Sequence, residues 1–141
     1  HDTNYQGKAQ ATIQALQNSD FVFLHIEASD EASHDGDYKL KIKTIEDLDK
    51  KIIQPILKET NQWSNPPLIA LLPDHPTSSL SKVHLREPVP FTIYHTGSGR
   101  ECCQVFEERF TPQGDILLYQ GGDLIRCLFD KQRLLGSSSN K

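Results

Sequence analysis

Apolar positions along this chain fall into blocks of different period, and each block predicts an element. In TNYQGKAQATIQAL, Ala9, Ile13 and Leu16 stand at helical spacing behind Thr3 or Asn4 as caps, which predicts a helix from about Tyr5 to Asn18. DFVFLHI is too short for a helix and nearly all apolar, the pattern of a strand buried on both faces of a parallel sheet. Leu40, Ile42, Ile45, Leu48, Ile52, Ile53, Ile56 and Leu57 then recur at roughly helical period with lysines and acids between them. Asp37 is the expected cap of that long helix, and Pro55 is expected to kink its last turns. NQWSNPP reads as a loop, LIALLP as a second buried strand and PFTIYH as a third.

Strand, helix, strand is βαβ grammar. It predicts an α/β fold, a mostly parallel sheet with flanking crossover helices. Ligands in such sheets bind beyond the carboxyl ends of the strands. Two polar loops are expected there: EASDEASHDGD after the first strand and PDHPTSSLSKVHLREP after the second. Only the tail GSSSNK, residues 136–141, is low in complexity and expected to be disordered, leaving 1–135 as the folded part.

Those loops carry the candidate chemistry. Asp30 and His34 lie four positions apart in the first; Asp74, His75 and His84 come from the second. Carboxylates offset the charge of a cation and neutral imidazoles bind without adding any, so the set suits two divalent ions, zinc or manganese before magnesium. A pair of such ions can grip the attacking and leaving oxygens of a phosphoryl group. Each element alone reads more simply as a cap, a turn or a surface histidine, and joint placement is what favours a metal site. His25, inside the strand, is expected to be a satisfied core histidine, and His1 and His95 have no evident partners in the sequence. Glu27 and Glu31 read as solvated acids, Asp35 and Asp37 as helix-entry residues.

The 141 residues suffice for one domain with a core, and 36% hydrophobic with 24% charged content is ordinary for a globular fold. A formal charge of -4 gives no basic footprint, which argues against nucleic acid or anionic membranes as partners. No apolar run approaches the length of a bilayer span and HDTNYQGK lacks the parts of a signal peptide, so a cytoplasmic location is expected. Cys102, Cys103 and Cys127 show no CxxC spacing and read as reduced packing residues. HTGSGRE lacks the full GxGxxG and reads as a hairpin or loop, and no GxSxG elbow is present. The chain contains no methionine and starts with histidine, so a processed piece or fragment of a longer protein is expected.

DTNYQGKAQATIQAL, DFVFLHIEASDEASHDGDYKLKIKTIEDLD, LLPDHPT, HLREPVPF and FEERFTPQGDILLYQGGDLIRCLF together resemble the C-terminal part of the archaeal-type cofactor-independent phosphoglycerate mutases, members of the alkaline phosphatase superfamily. The resemblance covers nearly the whole chain. It implies an alkaline-phosphatase-like core in which Asp30, His34 and His84 hold one ion while Asp74 and His75 contribute to a second. It further implies movement of a phosphate between the 3- and 2-hydroxyls of glycerate through a phosphoenzyme, with the nucleophile and one more aspartate supplied by an N-terminal part of the protein. No substrate-binding or nucleophilic residue is assigned within this chain. Ser33 stands where the family usually has glycine. A related phosphotransferase such as a homoserine kinase, a phosphatase, and a non-catalytic folded module are the competing expectations. Apolar surface left by a missing half would favour self-association.

Overall fold

A computed structural model describes residues 3–96, 106–107, 114 and 116–130. Cys102, Cys103, His1, most of HTGSGRE and the 136–141 tail lie outside the described residues. The chain divides into two units, one drawn from His1–Pro67 and Asp74–Pro88, the other from Leu68–Pro73 and Val89–Lys141.

The first unit is helical. α1, Tyr5–Leu16, starts where Asn4 accepts a hydrogen bond from the Gly7 N–H at 2.9 Å. α2, Ala28–Asp35, occupies the stretch expected to be a loop. Its alanines favour helix, and Gly36 ends it in the left-handed region at φ 76°, where a side chain would be strained. That turn delivers Asp37 as the cap of α3, Tyr38–Leu48, accepting from the Leu40 N–H at 2.9 Å. Asp35 is therefore the last residue of one helix and not the entry to the next.

The long amphipathic run continues through a π-helical turn, Asp49–Ile53, into α4, Gln54–Thr60. Pro55 accounts for the π turn: it has no N–H for the carbonyl four residues back and its ring would collide with it. The ladder opens by one residue, and the Gln54 N–H reaches the Asp49 carbonyl instead. The expected kink is thus a local change of helix type.

α2 packs on α3, and α1 packs on the π turn and α4. The buried positions of these helices are Ala9, Ala28, Ala32, Ile52 and Ile56 together with Thr12, Ser33, Thr44 and Thr60. Small residues let these helices approach closely. The buried hydroxyls are satisfied within their own helices: Ser33 donates to the Ser29 carbonyl at 2.7 Å and Thr60 to that of Ile56 at 2.8 Å. Serine is accommodated at position 33 for that reason.

Phe21–Ile26 takes no part in a β-ladder among the described residues. Its exposure alternates, with Val22, Leu24 and Ile26 half-buried and Phe23 77% exposed, so one face is open where burial on both was expected.

The second unit holds β1, Ile69–Leu71, and β2, Thr92–Tyr94. They pair antiparallel with Ile69 opposite Tyr94, Ala70 opposite Ile93 and Leu71 opposite Thr92. This corrects the expected parallel pairing. A parallel return needs a crossover, usually a helix, and residues 72–91 contain none. α5, Gly121–Phe129, buries Cys127, a free thiol. No described helix is long and apolar enough to cross a membrane.

Candidate metal centre

The site stands on α2 and on the segment 74–85. At 3.6 residues per turn, Asp30 and His34 share one face of α2, roughly opposite Ala28 and Ala32, which are buried. The buried alanines seat the helix and its other face presents the polar pair. Pro76 to Leu85 forms a closed loop: Thr77 and His84 make a β-bridge, and the Leu85 N–H donates to the Pro76 carbonyl at 2.9 Å. Inside it, the Ser78 hydroxyl accepts from the N–H groups of Leu80 and Ser81.

Lys82 is the described non-glycine residue with positive φ, at 60°. Its carbonyl faces His34 Nδ1 at 2.9 Å, and its ammonium donates to the Asp35 carbonyl, at the C-terminal end of α2, at 2.9 Å. A carbonyl only accepts, so Nδ1 carries the proton and a neutral His34 offers its lone pair at Nε2. That Nε2 lies 3.0 Å from Nε2 of His84 and 3.4 Å from Asp30 Oδ2, while His84 Nε2 lies 3.5 Å from Asp30 Oδ1. Donor atoms of all three side chains fall within 4.8 Å of one another.

These separations test the fit to a cation. Ligands set tetrahedrally at about 2.0–2.1 Å from zinc stand about 3.3 Å apart. The two imidazole nitrogens are 3.0 Å apart and the carboxylate straddles them, Oδ2 3.4 Å from His34 and Oδ1 3.5 Å from His84, with a single oxygen within 4.8 Å of both nitrogens. Without an ion, the contact between the two imidazoles needs His84 to donate its Nε2–H to His34. To hold an ion through Nε2, His84 would instead carry its proton on Nδ1.

Burial pushes the Asp30 carboxyl up, but the Thr77 hydroxyl and the imidazoles of His34, His84 and His75 outweigh it and hold Asp30 below its ordinary value. The carboxylate is therefore ionised and ready to bind a cation.

Asp74 and His75 lie beside this triad without joining it. The His75 ring packs on His84 with centroids 3.8 Å apart, and its Nε2 is 3.5 Å from Asp74 Oδ2. His25 is not a core residue: its side chain is half-exposed, 3.9 Å from Asp74 Oδ2 and 3.6 Å from Glu27. Its carbonyl accepts from the Lys8 ammonium at 2.9 Å. Thr77 and Lys82 escaped sequence reasoning. The first carries no ligand chemistry of its own, and the role of the second lies in a backbone angle that lysine seldom adopts.

A family model described as the metalloenzyme superfamily matches residues 1–118. The chain is 44% identical over 128 residues to a 2,3-bisphosphoglycerate-independent phosphoglycerate mutase of Methanosarcina barkeri, covering 90% of this chain and 32% of that protein. It is 35% identical over 132 residues to a probable enzyme of the same name from Geobacter sulfurreducens, covering 92% and 33%. Among solved structures, the PH0037 protein from Pyrococcus horikoshii superposes with a TM-score of 0.82 at 28% identity, over 99% of this chain and 41% of that one. The chain thus spans about a third of the length of the curated relatives it matches.

Proposed function

The chain belongs to the metalloenzyme superfamily, and from that premise we propose that it forms the C-terminal, metal-binding part of a cofactor-independent phosphoglycerate mutase, within an alkaline-phosphatase-like core. The observation that carries the reading is the convergence of Asp30, His34 and His84, whose ligand atoms, one from each side chain, lie within 4.8 Å of one another. Identity of 44% to a mutase of that name supports the choice of reaction. Residues 1–135 would make up this part, and further chain would pair with Phe21–Ile26 along its backbone edges in a parallel sheet.

In this reading Asp30, His34 and His84 hold one ion, manganese or zinc, and Asp74 with His75 contribute two ligands to a second. The ions, when bound, supply positive charge to a phosphoryl group in transfer between the hydroxyls of a small phosphoester. The chain's own part is to fix the donors. Lys82 selects the Nε2 lone pair of His34, the ionised Asp30 offsets cationic charge, and the packed alanines of α2 hold Asp30 and His34 on one face. The nucleophile and the groups that select the alcohol would come from the N-terminal part of the same protein.

The test joins this chain to the N-terminal two thirds of an archaeal relative and follows conversion of 3-phosphoglycerate to 2-phosphoglycerate without added bisphosphoglycerate. The expected result is turnover that needs a divalent ion and is lost in His34→Ala. A folded, metal-loaded protein that leaves phosphoglycerate untouched but transfers phosphate to or from another alcohol would replace the mutase with a kinase or phosphatase. One that binds no metal would leave a non-catalytic module.

A further inference from the structure

Thr77 sits at the centre of the cluster although its side chain is not among the proposed ligands. The residue is 7% exposed, and its hydroxyl lies 2.6 Å from Asp30 Oδ1 and 3.1 Å from His75 Nδ1. A hydroxyl has one proton to give, and an ionised carboxylate can only accept. The proton therefore goes to Asp30, and the oxygen is left to accept from the remaining partner, the Nδ1–H of His75. A neutral His75 so arranged carries its lone pair on Nε2.

The backbone of the same residue is fixed independently. Its carbonyl accepts from the Lys41 ammonium at 2.6 Å, and it is bridged to His84 across the loop. One residue thus touches Asp30 and His75 through its hydroxyl and His84 through its main chain. We propose that Thr77 is a positioning residue that locks the Asp74–His75 pair in register with Asp30, His34 and His84, and that its hydroxyl makes Nε2 the ligand atom of His75. The inference deepens the metal-binding reading above and rests on it for the identity of the ligands.

Valine at this position keeps the shape and removes the hydroxyl. Asp30 then loses a donor, and His75 Nδ1 loses the acceptor that selects its tautomer. Groups that orient metal ligands in this way commonly carry a large share of the affinity.

The experiment uses the full chain with 15N-labelled histidines, at a pH where imidazole is neutral, in wild type, Thr77→Val and Thr77→Ser. Long-range 1H–15N spectra of the metal-free protein report the His75 tautomer, and calorimetric titration with zinc alone reports affinity. Wild type should show His75 protonated at Nδ1; Thr77→Val should lose that preference and bind zinc roughly 10- to 100-fold more weakly, with Thr77→Ser restoring binding to within about threefold. Wild-type His75 protonated at Nε2, or Thr77→Val matching wild type in both tautomer and affinity, overturns the proposal. If Thr77→Val does not fold, the wild-type spectrum and Thr77→Ser still decide. Wild type that binds no zinc defeats the metal reading, whereas the tautomer measurement judges Thr77 separately.

Discussion

Gly36→Ala tests how the turn after α2 supports the site. Gly36 has φ 76°, and a Cβ built there would lie 2.5 Å from Lys82 Cε, 3.0 Å from Lys82 Nζ and 3.3 Å from the Ser79 carbonyl oxygen. Two costs follow. Holding an L-residue in the left-handed region costs about 1–2 kcal/mol. The Lys82 side chain can swing aside cheaply, but doing so breaks its hydrogen bond to the Asp35 carbonyl, a loss of about 0.5–1.5 kcal/mol at an exposed position. Together they predict destabilisation of about 2 kcal/mol, read as a lowered urea midpoint at unchanged slope. Gly36→Asn separates the two parts, because asparagine tolerates positive φ while its Cβ meets the same lysine; it should recover roughly 1 kcal/mol of the loss. Gly36→Ala within about 0.5 kcal/mol of wild type would refute the reasoning, since surface changes without a named mechanism fall in that range.

Two further outcomes are expected. Asp37→Ala removes the cap that accepts from the Leu40 N–H and should cost about 1 kcal/mol in the same denaturation assay, with Asp37→Asn recovering most of it. Asp47 is held below its ordinary value of 3.8 by hydrogen bonds from Lys43 and Lys51, at 3.0 and 3.1 Å. A folded-state pKa lowered in this way contributes stability above the unfolded value that is lost as pH falls through the folded one. The stability difference between wild type and Asp47→Asn should therefore persist at neutral pH and vanish on acidification below that range, and a difference independent of pH would contradict it.

The first helix and the long run beginning at α3 were legible because their period is strong and their starts are capped by side chains. Asn4 and Asp37 announce two starts, and the run from Leu40 to Leu57 spans α3, the π turn and most of α4. α2 was not legible as a helix: its eight residues are mostly polar and the stretch reads as a charged loop. The alanines at 28 and 32 and Gly36 were the available signals. The sheet was read with the wrong pairing, since short apolar runs give strand propensity without direction. Phe21–Ile26 was expected to be covered on both faces, yet coverage depends on neighbours that a local pattern does not specify. Of the five candidate ligands, the structure brings the atoms of Asp30, His34 and His84 together, and Asp74 and His75 stand beside them. The hydrogen bonds that orient them, donated by the Thr77 hydroxyl to Asp30 and accepted by the Lys82 carbonyl from His34, depend on a folded loop and leave no mark at the level of spacing.

The central claim is that three side chains share one cation. Crystals grown with zinc and measured on both sides of the zinc absorption edge address it directly. The account predicts an anomalous peak about 2.0–2.2 Å from His34 Nε2, His84 Nε2 and an Asp30 carboxylate oxygen, absent in His84→Ala. A zinc-saturated crystal with no peak there, or with its ion held elsewhere while these three side chains stay apart, would contradict it.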